Sequence, residues 1–280
     1  MSANNHLVGL ERTFRFFQSV VQITLSYRFA FSLLLQLLGL SVHKAPQPAT
    51  AQSVLLDLRQ RLDLGRRYFR VFRFLEFLHG AQKLSASITS QPATENSKLR
   101  SAWTQADAWL DVFGSTFCGM YLLLETSTIV DYLQIEGLEV WGPEWQVKVN
   151  AEAQRFWFFT LACGIASSLV KIFKLLMYPS EPVSVDESVK REAAAADKKK
   201  REKAEKTTAA QLNTKREARQ QIYGLSKNIV SNAIDIILPG AIVGWIDVSP
   251  GHIGVAMFVT TIITSMDVWD RCGREVSAHT

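Results

Sequence analysis

Residues 58–78 read LRQRLDLGRRYFRVFRFLEFL, and the spacing of their arginines decides how the rest of the chain is read. Stepping about 100° per residue, Arg59, Arg66, Arg70 and Arg73 fall in one sector roughly 60° wide, with Arg67 at its edge. Leu58, Leu62, Leu64, Tyr68, Phe69, Val71, Phe72 and Leu75 occupy the opposite half. Arg61 intrudes on the apolar side and Phe74 on the polar side. An arginine row opposed by Phe and Leu is the pattern of a helix lying in a membrane interface. Each basic residue near an anionic surface adds about 1 kcal/mol, and buried aromatics add transfer energy. Such a helix wedges into one leaflet and favours positive curvature. The bland alternative is a bundle helix whose arginines face water.

Outward from this segment, nearly everything has helical spacing. On the N-terminal side, Phe14, Phe17, Val21, Leu25 and Phe29 recur at three- and four-residue steps. The uncharged run Phe29–Val42 is too short to span a bilayer, which takes about 20 residues, and the prolines Pro46 and Pro48 break it. The amphipathic segment itself is expected to run as one helix over 54–79, followed by a polar loop at 85–97. A third helix is expected from about Trp103 to Leu133, ended by the turn Gly137–Pro143. A fourth contains the uncharged stretch Phe156–Val170 and reaches spanning length if Lys171 and Lys174 snorkel; a buried bundle helix has the same composition.

From residue 179 to 220 the character changes. Ala, Lys, Glu and Arg dominate, with Lys198-Lys199-Lys200-Arg201 at the centre, interspersed acids and no aromatic to stack on bases. Helix formers without an apolar face read as a solvated linker, not a nucleic-acid patch. Beyond it, Ile236–Met266 carries a single formal charge, Asp247, with breaks at Pro239 and Pro250. That allows one tilted span or two shorter membrane-embedded helices joined near Asp247. Gly240 and Gly244 form a GxxxG spacing suited to close helix packing. The chain thus divides into residues 1–178, a linker at 179–220 and an apolar segment at 221–280, an all-α, membrane-associated bundle with one or two spanning segments toward the C-terminal half.

Of the 280 residues 48% are hydrophobic and 20% charged, and the net charge of +5 suits an anionic partner. The mean hydropathy of +0.05 hides a segregation of apolar and charged stretches. Cys118, Cys163 and Cys272 lie too far apart for a disulfide framework or zinc spacing, and are read as small hydrophobes in a reducing compartment. No two of the five histidines lie within four residues of each other, and GxSxG, HExxH and glycine-rich phosphate loops are lacking. No enzyme, metal or cofactor is therefore expected. The acids Asp111, Glu125, Asp131, Asp235 and Asp267 stand alone in apolar surroundings. They are functional suspects if lipid surrounds them, and hydrogen-bonded structural residues if a bundle does, which is the reading preferred here.

The stretch Leu62–Phe74 resembles the basic amphipathic region of the peroxisomal biogenesis factor 11 family, whose pattern is R-x-G-(K/R)-x-x-R. Glu125 and Asp131, after Tyr121-Leu122-Leu123-Leu124, are similar to that family's third helix. Lys227-Asn228, Asp235, Leu238-Pro239, the pair Gly251 and Gly254, and Ser265–Trp269 continue the resemblance almost to the end. The opening lacks the family's usual acidic and Gly-Arg-Asp-Lys-like residues, and the charged linker looks like an insertion, as expected of a divergent, fungal member.

The resemblance implies a peroxisomal membrane protein that binds, bends and elongates the membrane before division. It further implies self-association, recruitment of dynamin-type fission machinery and an anionic phospholipid partner. By position, Arg59, Arg66, Arg67, Arg70 and Arg73 would meet lipid phosphates while Leu62, Phe69 and Phe72 enter the leaflet. A C-terminus of Ala278-His279-Thr280 is not a matrix-import address of the serine-lysine-leucine type. Two alternatives remain at this point: a pore or metabolite channel lined by acids such as Asp235 and Asp247, and a helical adaptor that holds a partner through its basic linker.

Overall fold

The computed structural model describes residues 2–37, 48–90, 98–133, 135, 137–177 and 196–279. Helices α1 (Ser2–Ser26), α2 (Arg28–Leu37), α3 (Pro48–Tyr68), α4 (Arg73–Thr89) and α5 (Lys98–Ser127) are followed by α6 (Ile129–Tyr132), α7 (Gly142–Met177), α8 (Ala196–Asp235), α9 (Ile237–Val243) and α10 (Pro250–His279). There is no strand among the described residues. Pro48 opens α3, where its missing N–H costs nothing. The C-terminal apolar region takes the two-helix option: Gly244 ends α9 in the left-handed conformation at φ 82°, and Pro250 starts α10.

Two boundaries differ from the sequence expectation. The amphipathic segment is not one helix, because residues 69–72 form a tight turn between α3 and α4. The backbone bonds there run three residues back, Arg70 N to Arg67 O and Arg73 N to Arg70 O, each at 3.0 Å. A run of aromatic and β-branched residues has modest helix propensity, and the tighter winding brings residues three apart onto one edge. The polar stretch from residue 85 stays helical to Thr89, held by serine and threonine hydroxyls that bond back to carbonyls of the preceding turn. Residues 91–97 lie outside the described part.

α5 packs along α7, α4 against α5, α8 against α7, α3 against α1, and α1 along α10. The N-terminal and C-terminal parts of the chain therefore interlock, and α8 passes residue 220 without a break. The α1–α10 contact is close because α10 presents glycine. A Cβ at Gly254 would stand 2.9 Å from Gln22 Cγ and 3.2 Å from the Ile23 backbone N.

Burial is inverted relative to a soluble bundle. The largest side chains under 2% exposed include Thr128, Thr260, Thr261, Ser19 and Ser167. Arg15, Arg66, Arg67, Arg70, Glu125 and Asp235 are buried as well, whereas Phe29 and Phe72 are 78% and 77% exposed. The apolar core is small: Tyr121, Leu122 and Ala153 form one cluster, Leu238, Ala256 and Met257 another, and Trp157 packs against both. α7 is the one helix among the described residues long and apolar enough to cross a membrane. Its 18-residue apolar window has a mean hydropathy of 1.7, and only 17% of that window is buried. Most residues of that window are partly buried against α5, α8 and α9, and Phe159, Leu169 and Phe173 are exposed. Lys171 and Lys174 turn to α5 instead of running outward along the helix: Lys171 Nζ donates to Asp111 Oδ2 at 2.6 Å, and Lys174 pairs with Asp107.

Candidate functional site

The arginines of α3 and the following turn point in two directions. Arg59 and Arg61 are exposed, Arg73 lies at the rim, and Arg66, Arg67 and Arg70 turn into the bundle. The tight turn explains the last three positions. Residues 67, 70 and 73 share an edge at a three-residue repeat, and that edge faces acids supplied by α1 and α5.

An alternating ladder results. Arg67 Nε donates to Asp63 Oδ2 at 3.0 Å and lies 3.9 Å from Glu125 Oε1. Arg70 Nη2 donates to the same Glu125 oxygen at 2.8 Å, and its Nε stands 3.6 Å from Glu11 Oε1. Arg73 Nη1 closes the series on Glu11 Oε2 at 2.8 Å. The Tyr121 hydroxyl donates to Glu125 at 3.0 Å, the Arg67 guanidinium also donates to Thr128, and it lies 4.2 Å from the centre of the Tyr132 ring. Burial disfavours the ionised forms of Asp63 and Glu11, yet the surrounding arginines outweigh it and hold both below their ordinary values.

Arg66 is treated differently. It donates through Nη1 to the Gln18 amide oxygen, and its nearest acid is Asp63 at 3.9 Å. Its Nε has no hydrogen-bond partner among the described residues. Burial, with repulsion from Arg70 and Arg15, pushes its pKa down to about 10. Arg15 sits nearby in a buried pair with Asp235, which also accepts from Thr260 at 2.6 Å. A cavity of about 410 Å³ opens beside this network, lined by polar residues of α1, α3 and α5, by Gln154 and Trp157 of α7, and by the apolar Leu238 and Ile242 of α9 and Ile253 and Met257 of α10.

The expected apolar contacts separate in the same way. Leu62 and Phe69 are half-buried, Phe69 edge-on to Phe14 with ring centres 5.5 Å apart, while Phe72 projects from the surface. Within this chain Gly240 and Gly244 shape the α9–α10 connection, where Ile246 folds back over Gly240. The glycines at a helix crossing are Gly251 and Gly254, against Tyr27, Gln22 and Ile23 of α1. Of the isolated acids, Asp111, Glu125, Asp131 and Asp235 are all hydrogen-bonded, Asp131 to the backbone N–H groups of Val140 and Trp141. The Asp267 side chain lies outside the described part. Asp247, a candidate channel residue, is exposed on the α9–α10 turn.

Glu11, Gln18, Gln22 and Tyr121 carry no weight in a reading centred on residues 58–78. A signal for three of them is present: Glu11, Arg15, Gln18 and Gln22 recur at steps of four, three and four, a polar stripe along an otherwise apolar helix.

No cluster of three or more His, Cys, Asp or Glu that could hold a metal occurs among the described residues. No curated protein and no solved structure matches the chain. The family model of peroxisomal biogenesis factor 11 matches residues 2–269. With a match over nearly its whole length, the chain belongs to the peroxisomal biogenesis factor 11 family, peroxisomal membrane proteins that act in peroxisome proliferation and biogenesis.

Proposed function

We propose that this protein binds, bends and elongates the peroxisomal membrane, seated in the bilayer as a bundle with a polar interior and an apolar exterior. The observation that carries the reading is the inverted burial: threonines, serines and arginines fill much of the interior, while no described phenylalanine is fully buried and Phe17, Phe29, Phe72, Leu75 and Leu176 stand exposed. In water such a surface costs free energy in proportion to its apolar area, and in hydrocarbon it does not. α7 supplies a segment suited to crossing. Leu56 and Leu58 in the middle of α3, and Tyr68, Phe72 and Leu75 from its end to the start of α4, are exposed apolar residues, suited to insertion into one leaflet. Arg59 on the same segment suits an anionic headgroup.

Residues 1–178 and the apolar 221–280 segment act together in this reading, because α10 packs along α1. The charged stretch between them supports placing the chain on a divergent, fungal branch of the family. Self-association and recruitment of dynamin-type fission machinery belong to the same proposal.

Reconstitution of the full chain into anionic vesicles, followed by electron microscopy, tests it. Tubules that shorten or vanish with Phe72→Ala and Leu75→Ala are expected. Spherical vesicles at every protein density would refute bending, and complete release from membranes by alkaline carbonate would refute embedding.

A further inference from the structure

The cavity beside the arginine ladder has the dimensions of a small-molecule site, about 410 Å³. Its outer lining, Leu56, Arg59 and Gln60, is exposed, and its inner lining, including Arg66, Arg70, Glu125 and Gln154, is buried. A charge count over the lining finds four guanidiniums (Arg59, Arg66, Arg67, Arg70) against two carboxylates (Asp63, Glu125), a surplus of two positive charges. Neighbouring groups do not remove it, since Glu11 is also shared with Arg73 and Asp235 is held by Arg15.

The surplus has an address. Arg66, Arg70 and Arg15 each bury an Nε that lacks a partner among the described residues, but Arg70 and Arg15 hold Glu125 and Asp235 at hydrogen-bond distance and Arg66 holds no acid so close. A buried cation in that condition is costly. Gln22 of α1 and Gln154 of α7, whose amide oxygens are fully buried, complete the polar part of the lining. The complementary ligand has two negative charges.

We propose that this cavity binds a phosphate monoester, with phosphoryl oxygens accepting from the guanidinium groups of Arg66 and Arg59. Two sources share that chemistry, a soluble sugar or glycerol phosphate and a phosphorylated inositol headgroup. The site goes beyond membrane bending and is independent of it: the exposed apolar residues would still insert without a ligand in the cavity.

The test is a thermal melt of the full-length protein in neutral phosphatidylcholine nanodiscs, titrated with glycerol 3-phosphate. A rise of about 5 °C at a hundredfold excess over Kd, growing with the logarithm of ligand concentration, is expected, with no rise for glycerol. Arg66→Met, which removes the cation that has no acid at hydrogen-bond distance, should melt no lower than the parent without ligand and lose the ligand-dependent rise. Arg59→Met, at the exposed rim of the cavity, serves as a second probe should Arg66→Met fail to fold, and Arg155→Met, an exposed charge on α7, should keep the full response. A response confined to nanodiscs containing phosphatidylinositol 4-phosphate, and lost in Arg66→Met, assigns the lipid as the source. No response to either phosphate, or a response unchanged in both Arg66→Met and Arg59→Met, overturns the proposal. Because vesicle shape enters neither readout, that failure would leave the bending reading untouched.

Discussion

Arg70 of the α3–α4 turn donates to Glu125 of α5 at 2.8 Å, both side chains buried, across 55 positions of sequence. This pair pins the segment that decides the fold to a helix it does not neighbour in the chain. Removing one partner leaves an uncompensated buried charge, which costs about 3–5 kcal/mol. Arg70→Ala and Glu125→Ala are each expected to lower the melting temperature sharply in detergent. Arg70→Met combined with Glu125→Leu should recover most of the loss, and a double-mutant cycle with no coupling would sink the pairing.

Phe69 and Phe72 are expected to behave differently although they lie three residues apart. Phe72 makes little contact with the protein, so Phe72→Ala should weaken binding to anionic vesicles while changing stability by less than about 0.5 kcal/mol. Phe69 packs on Phe14, so Phe69→Ala should destabilise by about 2–4 kcal/mol and reduce vesicle binding only through unfolding. Flotation and thermal melts on the same samples separate the two. Equal effects in both assays would show that the turn does not divide them.

Gly254 lies where α10 meets α1, and a larger side chain would run into Gln22 and the Ile23 backbone. Gly254→Leu is expected to cost about 1–3 kcal/mol as the helices part, detected as faster proteolysis within α1. Gly224→Leu, at an exposed glycine of α8 whose Cβ would meet no atom within 4 Å, should be tolerated.

The acids of the ladder confer a pH dependence with a definite sign. Asp63 and Glu11 titrate below their ordinary values of 3.8 and 4.5 in the folded protein. Their contribution is therefore fully present above those ordinary values and is lost as the pH falls through the depressed ones. Denaturant midpoints should stay flat from neutral pH down to about pH 5 and fall below about pH 4. Asp63→Asn should flatten part of that fall, and an acid limb unchanged by both Asp63→Asn and Glu11→Gln would contradict the assignment.

Much of this architecture is legible along the chain. Three- and four-residue recurrence marks the helices, Pro48, Pro239 and Pro250 mark breaks or starts, and the composition of 156–170 marks a segment of near-spanning length. These follow from backbone geometry and local hydrophobicity, both properties of near neighbours. The direction of each face does not. The arginine row of residues 59–73 has the same periodicity whether its partners are lipid phosphates, water or buried carboxylates. Glu11 and Glu125 pair with Arg67, Arg70 and Arg73 in the folded chain, reaching them from 55 or more positions away. Arg66, with no acid at hydrogen-bond distance, is defined by the cavity that its neighbours enclose. Periodicity is a property of one helix, whereas burial and charge pairing belong to the space between several. The sequence alone therefore determined that the chain is helical and amphipathic, and only tertiary packing decided that Arg66, Arg67 and Arg70 turn inward while Arg59, Arg61 and Phe72 remain exposed.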